Sequence, residues 1–247
     1  MESRNWDLQI DNPSANWKLS DYQEYIEHQH PRPVSFGWTT QAYIPPTEVF
    51  ALLRQFYGPP SAQTYYPHGE FAHFGGRNSI PDRGRLVRSF PENSEEWDPG
   101  SVLERDGVYR VANDVEYCFG TQLELEEVIA HRNDRLYFSL SGNWSPNSRA
   151  QLVVELTRDG DVLYWKSQQL SEFIPDESGL AQAHLACPIY GAVKRPDDVQ
   201  MKVYLWNKQR ESLSIMRAWV WSDYGNPLIY SWDHPLNDAA IEIINEQ

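Results

Sequence analysis

The hydrophobic pattern changes character twice along the chain. Residues 1–45 mix polar and aromatic positions without a sustained period, with Trp6, Trp17 and Trp38 spaced among them. They read as an irregular segment that wraps a larger body, anchored by its tryptophans. The next stretch, IPPTEVFALLRQFYGPP, sets Val49, Leu52, Leu53 and Phe56 at helical spacing. Thr47 suits the N-cap and Gly58-Pro59-Pro60 the stop, so one short helix of about three turns is expected. Residues 61–107 are dense in Gly, Pro, Asn, Arg and aromatics. A structureless stretch of that length is unusual, so it must pack, hold short strands or carry function.

From residue 108 the pattern becomes strand-like: VYRVANDVEY, LYFSLSGNW, AQLVVELTRDGDVLYWKSQQL, QMKVYLWN and LSIMRAWVWSDY are β-branched and aromatic, with turns between them. Asp159-Gly160 between two apolar runs predicts a tight hairpin, and LELEEVIA fits either a strand or a helical turn. In MKVYLWN, Val203 and Leu205 share one strand face, Tyr204 and Trp206 the other. Strict alternation also groups Trp219 and Trp221 with Leu213 and Ile215, opposite Ala218 and Val220. Both faces of both strands are apolar, the pattern of central strands. An N-terminal segment covering one tryptophan pair would then act as a structural lid. Short strands, spaced turns and the long link SEFIPDESGLAQAHLACPIYGAVKRPDD favour a sandwich with crossovers.

Composition narrows the partners. The 247 residues are 40% hydrophobic and 23% charged, enough apolar content for a core and an ordinary charge load. Ten Trp, 14 Tyr and 17 Pro against 3 Met favour strands and ordered loops. A net charge of −14 repels phosphate backbones and anionic headgroups, so nucleic acid is not an expected partner. Neutral ligands, cations and basic proteins remain compatible. Cys118 and Cys187 form neither a zinc motif nor a redox pair and are expected as free thiols. No apolar run approaches the length of a membrane span. The opening MESRNWDLQI lacks a basic n-region and an apolar h-region. The expected compartment is extracytoplasmic if a signal has been removed, and otherwise cytoplasmic.

The segment 114–222 resembles the jelly-roll β-sandwich modules of bacterial extracytoplasmic proteins, carbohydrate-binding modules among them. The features that carry the resemblance are DVEY, a strand ending in Trp144, VVELTRDGDVLYWKS and DDVQMKVYLWNKQRESLSI. The last strand, IMRAWVW, lacks the acidic residues such modules often place there, which removes the basis for a calcium site at that strand. The expected fold is mainly β: a jelly-roll-like antiparallel sandwich over 108–247, with residues 1–107 an irregular segment, containing one short helix, packed on it.

Candidate chemistry is sparse. HGEFAH offers His68, Glu70 and His73, but the spacing is not that of a helical zinc site, and Glu70 is expected to pair with Arg77 or Arg83. GRNSIPDRGRLVR concentrates Arg77, Arg83, Arg85 and Arg88, which suit either neighbouring acids or an anionic ligand such as a carboxylate sugar. Asp114, Glu116, Asp223 and Asp233 are the carboxylates to weigh for glycoside hydrolysis, and Asp233-His234 could form an acid–base couple. Nothing forms a recognisable nucleophile motif, and no catalytic residue, metal or cofactor is assigned. Aromatic rings stack on the C–H faces of sugars, and Asn offers a donor and an acceptor to hydroxyls. The expected ligand-binding residues are Trp206, Asn207, Trp144, Tyr66 and Arg77, with Asn207 reaching solvent more readily than Trp206. The expected function is a non-catalytic binding or accessory module for carbohydrate. The competing expectations are a glycan-active enzyme using carboxylates of the 61–116 region and a structural or protein-interaction domain.

Overall fold

A computed structural model describes residues 17–39, 46–66, 69–76, 84–98, 102–105, 108–111, 115–130, 134–188, 193 and 196–225. Within them the chain is mainly β, an antiparallel jelly-roll-like sandwich with a helical and three-stranded unit docked on one side. That unit comprises α1 (Leu19–Gln29), β1 (Val34–Thr39), α2 (Pro46–Tyr57), β2 (Ala62–Tyr66) and β3 (Gly69–Phe74), its strands ordered β1-β3-β2. The sandwich is built from β4 (Arg85–Phe90), β5 (Val102–Arg105), β6 (Val108–Val111), β7 (Tyr117–Glu124), α3 (Leu125–Val128), β8 (Asp134–Asn143), β9 (Gln151–Arg158), β10 (Asp161–Gln169), β11 (Ala181–Pro188), β12 (Gln200–Trp206) and β13 (Ser214–Tyr224).

One sheet is ordered β10-β9-β12-β7; the other runs β11-β8-β13-β6-β5, with β4 also paired to β13. Apart from the β9–β10 hairpin, each connection from β7 to β13 crosses between the sheets. Asp159 (φ 51°) and Gly160 (φ 88°) make that hairpin turn, the two positive φ values a primed turn requires. The core between the sheets includes Leu136, Phe138 and Leu140 of β8, Leu152, Val154 and Leu156 of β9, Met201, Val203 and Leu205 of β12, and Ala218 and Val220 of β13.

Two expectations change. The boundary at 107/108 cuts through the larger sheet, because β4 and β5 pair with β13 and β6; the sandwich takes in residues from Arg85 onward. Residues 19–29, expected to be irregular, form α1, with Leu19, Gln23 and Ile26 buried on one face. The Leu19–Tyr22–Ile26 spacing is helical, but the intervening polar residues hide it. The Gln23 amide donates to Ile174 O (2.8 Å) and accepts from Ile174 N (3.1 Å), a backbone-like clasp onto the loop before β11.

The docked unit lies over the outer face of the larger sheet, where Arg135, Tyr137 and Ser139 of β8 point away from the sandwich core. Arg135 is buried between Glu70 of β3 (3.4 Å) and Asp223 of β13 (3.3 Å), and Arg54 of α2 also meets Asp223 (3.3 Å). Glu70 pairs with Arg135; Arg77 and Arg83, its expected partners, lie outside the described residues. Burial alone would lower the Arg135 pKa, but Glu70, Tyr137 and Asp223 raise it, so the guanidinium stays charged. Its Cζ sits 4.6 Å from the Phe50 ring centroid. Tyr137 stacks on Trp221 (4.0 Å, 11°), and α2 covers that pair with Ala51 and Arg54. At the sandwich edge, Glu48 of α2 accepts from Lys166 of β10 (2.6 Å) and from Ala186 N (3.0 Å).

A hydrogen-bonded chain completes the junction. Trp221 Nε1 donates to Ser139 Oγ (2.9 Å), which lies 2.8 Å from His184 Nδ1, and His184 Nε2 lies 3.1 Å from Gln55 Oε1 of α2. Every hydrogen is used if His184 is neutral and carries its proton on Nε2. Burial pushes the His184 pKa down to about 3.

Removing one partner of the buried ion pair leaves the other charge stranded. Arg135→Ala and Glu70→Ala are each expected to lower stability by about 3–5 kcal/mol in denaturant titration. Below pH 6.5 the unfolded chain takes up a proton that the folded His184 refuses, so stability falls on acidification. The His184 contribution is up to about 1.4 kcal/mol per pH unit down to about pH 3. His184→Gln is expected to flatten that dependence in thermal melts recorded from pH 7 to pH 4.5.

Candidate functional site: an aromatic face on the four-stranded sheet

The docked unit covers one outer face of the sandwich and leaves the outer face of β10-β9-β12-β7 open. On β12, alternation sends Met201, Val203 and Leu205 into the core and leaves Lys202, Tyr204 and Trp206 on the outer side, half-buried. Strand β7 does not keep a simple alternation. Tyr204 pairs with Gly120 and Leu205 with Cys118, so Phe119 is an extra, bulged residue with φ 43°. It turns inward to stack on Trp97 (5.0 Å, 11°) and meet Phe90 edge-on (4.8 Å). The shift in phase turns Tyr117 outward, opposite Trp206. Gly120 is required beside the bulge: a Cβ there would lie 2.4 Å from Val203 O and 2.7 Å from Tyr204 Cβ.

The result is a cluster of four rings. Tyr117 and Trp206 are parallel within 7° at 6.1 Å between centroids. Tyr204 meets Tyr117 edge-on at 6.0 Å, and Trp165 of β10 meets Trp206 edge-on at 6.3 Å. Tyr117 is 62% exposed and Trp165 45%, which makes them the accessible members. Trp206 is fixed: its indole N–H donates to Glu116 Oε1 (2.9 Å), and Lys208 Nζ sits 5.4 Å from its ring centroid. The Tyr204 hydroxyl accepts from the Trp165 indole N–H, and burial raises its pKa, so it stays neutral. Gln151, Lys202 and Glu155 share this face, with Gln151 opposite Trp206 and Glu155 opposite both Lys202 and Trp165. Rigid aromatic surface bordered by hydrogen-bonding groups suits a ligand with alternating apolar faces and hydroxyls.

Of the expected ligand-binding residues that are described, Trp206 alone lies in this cluster. Asn207 is fully buried rather than solvent-reaching. Its amide donates to Glu211 O and accepts from Glu211 N, both at 2.9 Å, and its backbone N–H donates to Glu116 O (2.7 Å). It closes the β12–β13 loop and holds Glu116 beneath Trp206. Trp144 is also buried, its indole N–H donating to Leu170 O (2.9 Å), so it offers no ring to a ligand. Tyr66 is exposed but ends β2 in the three-stranded sheet. Arg77 lies outside the described residues. Tyr117 and Trp165 were legible only as aromatic text in DVEY and VLYWKS.

The carboxylates weighed for hydrolysis do not form an accessible pair among the described residues. Glu70 and Asp223 are buried against Arg135, and Glu116 is bonded to Trp206. Asp114 and the Asp233-His234 pair lie outside the described residues. Ser139 and His184 are in contact but almost wholly buried, and the depressed His184 pKa makes the imidazole a poor base. His73 Nδ1 lies 2.9 Å from Ser35 Oγ. Among the described residues no group of three His, Cys, Asp or Glu side chains is placed to hold a metal. Both cysteines are free and buried, their pKa values pushed up to about 12 by burial, so they are unreactive thiols.

No protein-family model matches the chain, and no curated protein matches it. Solved structures with some likeness include the CBM22-1 xylan-binding domain of Xyn10C from Paenibacillus barcinonensis (13% identity, TM-score 0.35, 59% of this chain and 99% of that one). A CBM4 structure (16%, 0.29, 53% and 94%) and the accessory secretory protein 1, 2 and 3 structure from Streptococcus pneumoniae (13%, 0.33, 57% and 93%) are others. These neighbours include carbohydrate-binding modules, the group that segment 114–222 resembles. The likeness is one of fold.

Trp144 and Tyr117 separate a core role from a surface one. Trp144→Ala is expected to cost about 3–5 kcal/mol in denaturant titration. Tyr117→Ala is expected to change stability by less than about 1 kcal/mol.

Proposed function

We propose that the chain is a non-catalytic module that binds neutral carbohydrate across the open face of the four-stranded sheet. The observation that carries this reading is the parallel pair Tyr117 and Trp206, flanked by exposed Trp165, on the face the docked unit leaves free. Trp206 and Tyr204 are held from below by Glu116, Asn207 and Gly120, so little ordering is left for binding to impose. The sugar rings stack on Tyr117 and Trp165 through their C–H faces, and Gln151, Lys202 and Glu155 meet the hydroxyls. The net charge of −14 favours a neutral polymer over an acidic one at this face.

A second reading, a protein partner, draws on the edge strand β10, where Val162, Leu163 and Trp165 are exposed. It predicts binding without polysaccharide.

Affinity electrophoresis through gels containing neutral β-glucans, xylan or mannan tests the proposal. Wild-type protein is expected to be retarded by at least one polymer. Tyr117→Ala and Trp165→Ala should each weaken binding about tenfold or more, with the melting temperature unchanged. Free migration through every neutral polymer, or retention of full binding by both variants, would overturn it.

A further inference from the structure

The other side of the sandwich holds a cavity that the proposed sugar face does not use. Beside α2, a cleft of about 390 Å³ is lined by Arg54, Arg85, Leu86, Arg217, Trp219 and Trp221. Arg54 and Arg217 bring cationic side chains to it and none of these lining residues is acidic, in a chain of net charge −14.

The tertiary structure builds this cleft by displacing a strand phase. Met216 is an extra residue in β13 where it pairs with β8, between Ile215 opposite Gly142 and Arg217 opposite Ser141. Ile215 stays in the core, while Arg217, Trp219 and Trp221 all turn to the outer face. Strict alternation would have kept the tryptophans on the side of Leu213 and Ile215. Each tryptophan then carries a guanidinium: Arg217 lies 5.7 Å from the Trp219 centroid and Arg54 lies 5.4 Å from that of Trp221.

The charges facing the cleft come from each packed element. Arg54 of α2 is shared with buried Asp223 at 3.3 Å. Arg217 meets Glu92 at 3.6 Å, with both side chains 55% exposed, a loose surface contact that an incoming anion can replace. Arg85 pairs with Ser222, on the side of Ala218 and Val220, and its guanidinium donates to the backbone carbonyl oxygens of Glu127 (2.9 Å) and Val128 at the end of α3, so its charge is held away from the cleft.

We propose that this cleft is a second binding site, for an acidic saccharide unit of the hexuronate type. Arg217 receives the carboxylate, Arg54 adds a second positive charge to the cleft, and Trp219 takes the C–H face of the ring. A neutral sugar gives no role to the arginines, and a bare anion gives none to the tryptophan. The site is separate from the aromatic cluster on the four-stranded sheet, and its ligand differs in charge.

The test is a titration of D-glucuronate into the full chain, with D-glucose and inorganic phosphate in parallel. It is read at the indole N–H resonances of Trp219 and Trp221, assigned with Trp219→Phe. Glucuronate is expected to shift both resonances saturably, and added salt should weaken the effect. Arg217→Gln, at an exposed position, should weaken it about tenfold. Unmoved resonances, an equal response to glucose or phosphate, or an R217Q titration matching wild type would overturn the proposal. The readout is confined to the cleft and the probe is a single acidic sugar, so failure here leaves neutral-polymer binding on the other face untouched.

Discussion

Arg135 is the constraint around which the molecule is assembled. A guanidinium buried on the outer face of β8 is tolerable only while Glu70 and Asp223 neutralise it. Glu70 comes from the three-stranded unit and Asp223 from the last sandwich strand; Arg54 of α2 balances the second acid. The four charges sum to zero only when sandwich, α2 and three-stranded sheet are in place together. Around them, the Tyr137–Trp221 stack and the Trp221–Ser139–His184–Gln55 chain add directional contacts that an alternative docking pose would break.

That docking makes the sandwich asymmetric. One outer face is largely covered, with a positively lined cleft beside α2; the other faces solvent with four aromatic rings. Exposed aromatic surface is unfavourable in water unless something covers it, so rings held in place on an otherwise acidic surface are the feature most in need of a function. Their rigidity has identifiable causes. Asn207 gives its whole amide to the β12–β13 loop, Glu116 receives the Trp206 indole, and Gly120 provides the space Tyr204 needs. The cleft and the open face would then divide ligands by charge.

Parts of this were legible in the chain itself. Helix α2 announces its apolar face, and Asp159-Gly160 marks its hairpin because few residues adopt paired positive φ. The alternation in MKVYLWN separated Val203 and Leu205 from Tyr204 and Trp206; the structure puts the first pair in the core and leaves the second half-buried on the outer face. Trp144 and Asn207 were misleading because residue type does not report burial. A Trp at a strand end and an Asn after a Trp suit a ligand equally well as they suit a core wedge and a loop clasp. Helix α1 was missed, and strand β4 was left within a segment read as packed, strand-bearing or functional, because their partners lie far away in sequence, on the loop after residue 170 and on β13.

The sequence by itself determined the fold class, the position of the central strand β12 and the sidedness of its residues, because a period of two is a local consequence of strand geometry. Only the tertiary structure decided where that period breaks. Phe119 and Met216 are extra residues whose bulges depend on what the neighbouring strands offer. For Phe119 that is a slot against Trp97 and Phe90; for Met216 it is the register between β13 and β8. Each bulge reverses the facing of the residues beside it. One brings Tyr117 onto the open face, and the other brings Arg217, Trp219 and Trp221 into the cleft. Both candidate sites are thus composed of residues legible in the chain but oriented by contacts that exist only once the sheets have formed.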